Sequence, residues 1–226
     1  MSGTAGKPIV TSGLIMHYDA ANSKSYNGAG NAWNDLRGNK LNGTLAKTAI
    51  GTTKSNVMTF TRGDTIDLPS SIVSELQGNP EASIECWCRV DNMYPVGSGI
   101  FQLSGYISGN GNLYPYNTFY KVYLDIFRTN RIGAIYTNTP VNELHLLTIT
   151  TKPGTNGWNV YQNGELIKSV TGESMVHVNY RTPNLGSSAG SRYLIGIMAS
   201  VRIYNKALTS TEVLKNYNAS KARFGL

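Results

Sequence analysis

Hydrophobic residues recur at every second position along much of this chain. Ile195, Ile197, Ala199, Val201 and Ile203 alternate with Gly196, Met198, Ser200, Arg202 and Tyr204, the period of a half-buried strand. The same period predicts strands at about 13–18, 57–61, 83–91, 99–104, 119–128, 131–136, 144–151, 158–163, 165–170 and 192–204. Asn163-Gly164 separates two of them and reads as a two-residue hairpin turn, because both turn positions need positive φ. Strand following strand with tight turns predicts an all-β fold, a two-sheet antiparallel sandwich with alternating inward rows.

Two short helices interrupt the pattern. Thr209 and Glu212 have the spacing of a capping box, in which the threonine oxygen accepts from the Glu212 amide and the glutamate reaches back to Thr209. Leu208 and Val213 flank it as a hydrophobic staple. Residues 70–77 predict a single helical turn. No repeat or linker divides the sequence, so 1–226 reads as one domain, with 1–12 an N-terminal arm and 205–226 a C-terminal helix and tail.

The two ends carry a resemblance. Ile197 to Gly225 is similar, nearly residue for residue, to the segment that closes laminin-G-like, concanavalin A-like lectin/glucanase domains of the type found in bacteriophage structural proteins. Residues 13–22, Ser25, Tyr26, 33–36, Gly38, Asn39 and 42–45 resemble the opening strand and first loop of the same group. The middle, about 94–120, matches no such pattern. The resemblance implies a concanavalin A-like jelly roll and a non-enzymatic virion structural protein, a capsid decoration protein held to the major capsid protein or its own copies. The alternative it implies is a lectin-like module binding host surface glycans from a tail fibre or a cell surface.

Composition agrees with a packed β domain. Of 226 residues, 40% are hydrophobic and only 15% charged, with 24 glycines and 14 tyrosines, which argues against disorder. The formal charge of +7 comes from basic residues scattered singly, unlike the concentrated faces of nucleic-acid binders, so an acidic partner surface or anionic glycan is the expected complement. No stretch is apolar for long enough to cross a bilayer as a helix. The first residues lack the apolar run of a secretory signal, so either that route is not used or a leader has been removed. Cys86 and Cys88 share one strand face with Ile84 and Val90, at a spacing of ~6.6–7 Å that disfavours a bridge. Two buried free thiols fit folding in a reducing host cytoplasm before display on a virion surface.

Candidate chemistry is thin. Glucanases on this scaffold need two carboxylates ~5–5.5 Å apart, whereas Glu85 and Asp91 lie ~20 Å apart along their strand with Arg89 between them. No catalytic residue and no cofactor is therefore expected. The resemblance brings calcium into question, since laminin-G-like domains commonly bind it, but relatives with the phage-type opening often carry a more acidic segment where this chain has 60–66, with Arg62. Asp64, Asp67, Asp19 and Asn22 are expected to form turns, and no metal site is assigned. Trp33 and Trp158 are expected to anchor the core or its loops. Phe119, Lys121, Tyr123, Asp125 and Phe127 form an unusually aromatic strand face, opposite a row of Val122, Leu124 and Ile126. Tyr114 and Tyr116 precede it in what reads as a loop. With Trp87 and Arg89 on the outward side of their strand, these aromatics suit a glycan or protein surface. Arg223 and Phe224 read as a tail that docks onto a partner.

Overall fold

The computed structural model describes residues 8–38, 40–46, 51–52, 56–92, 98–102, 114–118, 121–125, 142–172, 183–188 and 192–226. They form the antiparallel sandwich that the alternation predicts. The main sheet has eight strands. In order they are Glu165–Gly172, Gly154–Gln162, His145–Thr151, Ala82–Asn92, Ile195–Tyr204, Val57–Phe60 and Gly51–Thr52, with Leu14–Asp19 also paired to Ile195–Tyr204. A five-stranded sheet of two- and three-residue strands faces it, built from Ala32–Trp33, Gly43–Leu45, Ile66–Asp67, Asn184–Leu185 and Phe101–Gln102. The predicted strand at 131–136 and both ends of the one at 119–128 lie outside the described residues.

The core fills the space between these sheets. Met16, Tyr18, Met58, Phe60, Ile84, Val90, Ile149, Trp158, Val201 and Ile203 descend from the main sheet, while Trp33, Leu45, Ile66, Phe101 and Leu185 rise from its partner. The predicted helical turn is Ser71–Leu76, which buries Ile72, Val73 and Leu76 in the same core. Asn163 and Gly164 take φ of 51° and 85°, as the hairpin turn requires.

Ile195–Tyr204 departs from the simple alternation at one residue. Met198 pairs with Cys88 but Ser200 with Trp87, so Ala199 is an extra residue, a β-bulge. The bulge turns Met198 inward and joins Ala199 to Trp87 on the outer face, while Val201 and Ile203 stay inward. It also lets two strands share one edge. Val57–Phe60 pairs before the bulge and Leu14–Asp19 after it, and the freed Ala199 carbonyl accepts from Ala20 N at 2.9 Å. The strand is buried along nine of its ten residues rather than half-buried, because its outer face is covered as well.

That cover is the helix Ser210–Ser220. Thr209 and Glu212 form the predicted capping box, and Val213 packs with Leu208, Tyr204, Leu14 and Val10. A single 3-10 turn, Lys221–Phe224, continues it.

Candidate functional site

Register sets His17, Arg202, Glu85 and Thr148 side by side across four strands of the outer face. Arg202 and Glu85 are almost fully enclosed, at 2% and 0% exposure. Arg202 Nη1 lies 3.4 Å from Glu85 Oε2. The glutamate also accepts from Asn216 Nδ2 at 2.8 Å, Tyr204 Oη at 3.5 Å and Thr148 Oγ1 at 3.3 Å. Burial pushes the Glu85 carboxyl up, opposed by Arg202 and by these hydrogen bonds. Asn216 Oδ1 in turn accepts from Val10 N at 2.7 Å, so one helical side chain ties the N-terminal arm to the sheet. With its oxygens occupied beneath the helix, Glu85 does not present a carboxylate to solvent.

Three residues read as surface contacts are used inside the chain. Trp87 is wholly buried, since the C-terminal helix lies over it. Its Nε1 donates to Ser220 Oγ at 2.9 Å, and its ring meets Tyr217 at 5.9 Å and Phe224 at 4.4 Å between centroids. Phe224 therefore docks on Trp87 of its own chain. Arg223 lies over the Phe224 ring and pairs with Asp19 at 2.5 Å. The aromatic and basic character that pointed to a partner surface is satisfied by the sheet. Arg89 does stay partly exposed, with its guanidinium held by Asp91.

The second group of candidates gathers on a hairpin. Residues 114–116, read as a loop, belong to the strand Tyr114–Thr118, which pairs with Lys121–Asp125 and with Ser98–Gly99. Pro115 masked the strand, because proline is confined to positions that need no ladder donor. The register sets Tyr116 opposite Tyr123, Tyr114 opposite Asp125 and Thr118 opposite Lys121. Directly opposed residues share a face. By register, positions 114, 116, 118, 121, 123 and 125 fall on one face of the hairpin and positions 115, 117, 122 and 124 on the other. Phe119 and Phe127 lie outside the described residues. Reading the sequence found Tyr114, Tyr116 and Tyr123 but missed the contribution of Thr118, which only cross-strand pairing supplies.

Cys86 and Cys88 are free and buried on the inward face, opposite Leu147 and His145. Burial pushes the Cys86 thiol up. Asp64 caps a turn through Thr61, accepting at 2.7 and 2.6 Å, while Asp19 and Asn22 close turns onto Ala21 N and Lys24 N. Asp67 differs, sitting in the strand Ile66–Asp67. Among the described residues no group of three His, Cys, Asp or Glu side chains is placed to hold a metal.

Residues 60–214 match the family model described as the concanavalin A-like lectin/glucanases superfamily. No curated protein matches the chain. Among solved structures, Trypanosoma rangeli sialidase bound to 2,3-difluoro-KDN superposes with a TM-score of 0.66 at 16% identity, over 98% of this chain and 35% of the sialidase. The chain thus spans about a third of that enzyme. Domain 4 of AbnA, a GH43 extracellular arabinanase from Geobacillus stearothermophilus solved with arabinotriose, gives 0.62 at 19% identity, covering 90% of this chain and 98% of the domain. Botulinum neurotoxin type C, whose cell entry depends on two ganglioside molecules, gives 0.59 at 15% over 92% of this chain and 51% of its own. At these identities the likeness is one of fold.

Proposed function

The chain belongs to the concanavalin A-like lectin/glucanase superfamily, and from that premise we propose that it is a non-enzymatic, lectin-like module that binds glycans. The observation that carries this reading is the hairpin register, which groups Tyr114, Tyr116 and Tyr123 with Asp125, Lys121 and Thr118 on one face. Tyrosine rings suit the C–H faces of sugars, and flanking charged and hydroxyl groups suit their hydroxyls. Neighbours of the same fold were solved with a bound trisaccharide or depend on gangliosides, which supports the choice of ligand class. A glycan array should give reproducible binding that Tyr116→Ala and Tyr123→Ala abolish while circular dichroism stays unchanged. Binding that survives both substitutions would remove the hairpin from the reading. An array with no binding at all would remove the lectin role.

A second reading concerns setting. The similarity of Ile197–Gly225 to the closing segment of phage structural domains favours display on a virion surface, as a decoration protein of the capsid or a module of the tail. Its partners would then be the major capsid protein or further copies of this chain. Co-purification with intact particles at a fixed copy number would support this, and absence from purified particles would overturn it.

A further inference from the structure

Three of the large hydrophobic side chains left exposed among the described residues gather at one edge of the main sheet: Leu166 at 53%, Ile167 at 40% and Leu214 at 45%. Leu166 and Ile167 belong to Glu165–Gly172, the outermost strand, which pairs with Gly154–Gln162 on one side and with no described strand on the other. The C-terminal helix closes the start of that edge. A Cβ added at Gly164, in the hairpin turn, would meet Leu214 Cδ1 at 3.0 Å and Tyr217 Cβ at 3.3 Å, so Leu214 stands beside the turn. Leu166 lies opposite Tyr161, which packs in the same cluster as Val213 of the helix. Residues 165–168 are all exposed, where an alternating strand would hide every second side chain.

A free strand edge offers a row of backbone N–H and C=O groups, and its complement is another strand. Two features decide which kind. Tyr161 pairs with Leu166 but Val160 with Lys168, so Ile167 is the extra residue of a bulge. Bulges and lysines are the means by which edges avoid their own copies. Beyond the bulge, 168–170 pair regularly with 158–160, so the ladder is regular where a further strand would continue it. The charge around the apolar group is mostly positive. Lys168 follows it on the strand, Lys215 is exposed next to Leu214, and Lys221 lies 5.1 Å from the centre of the Tyr217 ring. None of the three pairs with a described carboxylate, and Glu212 of the same helix is already held by Lys206. Two copies brought edge to edge would crowd these cations, whereas an acidic strand would neutralise them.

We propose that this edge is a docking surface for an extended segment of a partner protein, one that alternates apolar with acidic side chains and joins the main sheet as a further strand. Its backbone would pair along Glu165–Gly172, its apolar side chains would cover Leu166, Ile167 and Leu214, and its carboxylates would meet Lys168 and Lys215. The surface lies on a different sheet from the tyrosine hairpin, so it stands or falls apart from glycan binding.

Selection of a random peptide library on the immobilised full chain tests it. Enriched sequences should alternate apolar residues with aspartate or glutamate, and a synthetic copy of one should slow amide exchange across 165–172. N-methylation at alternate positions of that peptide removes ladder donors while keeping its side chains, and should abolish binding. Leu166→Asp with Ile167→Asp, and separately Lys168→Glu with Lys215→Glu, should each weaken binding by about tenfold or more with circular dichroism unchanged, the scale of a lost interface anchor. A library that enriches nothing, enriched peptides without acidic residues, or binding indifferent to N-methylation or to the paired substitutions would overturn the proposal. So would a dimer in sedimentation equilibrium that Leu166→Asp dissolves, because the occupant would then be a second copy.

Discussion

Arg202 lies against Glu85 at the centre of the sheet's outer face, Nη1 to Oε2 3.4 Å, with both side chains enclosed under the C-terminal helix. The pair joins neighbouring strands, and Asn216 joins it to the helix, so three elements far apart in sequence meet at one carboxylate. Removing one member of such a pair strands the other in a poorly solvated site.

Glu85→Ala should therefore lower the unfolding free energy by about 3–5 kcal/mol, the usual cost of leaving a buried charge unpartnered. Replacing both residues with apolar ones of similar volume should recover much of that loss. Denaturant midpoints of Glu85→Ala and of the double variant measure the effect. A single variant as stable as the parent would show that the helix does not enclose the pair in solution.

Deletion of residues 223–226 should destabilise the chain. Phe224 covers Trp87 and Arg223 pairs with Asp19, so the tail packs on the sheet. Losing a partly buried phenylalanine and an exposed ion pair costs about 1–2 kcal/mol. Tryptophan emission should shift to the red as Trp87 meets water. Unchanged stability and emission would return the tail to the role of a free docking segment.

Burial, with the Arg202 charge next in weight, lowers the His17 pKa from 6.5 to about 4; Asp19 opposes the shift and Arg223 adds to it. Above pH 6.5 the imidazole is neutral in both folded and unfolded chains. Between pH 6.5 and about 4 the unfolded chain takes up the proton first, so stability falls with pH across that window, by about 2–3 kcal/mol at its lower end. Urea midpoints should show this slope, and His17→Gln should flatten it. An equal slope in the variant would assign the acid sensitivity to another group.

Cys86 and Cys88 should resist alkylation in the native chain, because both are buried and burial holds the Cys86 thiol protonated. Under denaturant, without reductant, mass spectrometry should find both modified. A native species two hydrogens lighter would mean a bridge, and a strand bent enough to allow one.

The strands, the capping box and the Asn163-Gly164 turn were legible because each is set by residues within a few positions. The facing sheet was not. Strands of two residues, such as Ile66–Asp67 and Asn184–Leu185, are too short to show a period. The bulge at Ala199 is equally silent, since skipping one residue looks like continued alternation in an apolar strand. Trp87 and Phe224 misled for another reason. Their role comes from a contact across more than a hundred residues, and an aromatic ring reads the same whether a partner or its own helix covers it. The hairpin stands between these cases. Lys121, Tyr123 and Asp125 were visible as one row, but placing Tyr114, Tyr116 and Thr118 beside them needed the register.

The purified chain should release no reducing sugar from β-glucans, agar or carrageenan. Hydrolysis on this scaffold needs an acid and a nucleophile ~5–5.5 Å apart and open to the substrate. On Ala82–Asn92, Glu85 is enclosed and hydrogen-bonded to Thr148, Tyr204 and Asn216, while Asp91 is held by Arg89 six residues further along. The two carboxylates cannot converge on one glycosidic bond without stripping the helix from the sheet. Any turnover should therefore be unaffected by Asp91→Asn and should co-purify as a contaminant. Glu85→Gln, which keeps the shape and most hydrogen bonds of the site, is the sharper control. Turnover in the parent that this substitution abolishes, with the fold intact by circular dichroism, would make Glu85 catalytic and end the binding-only reading.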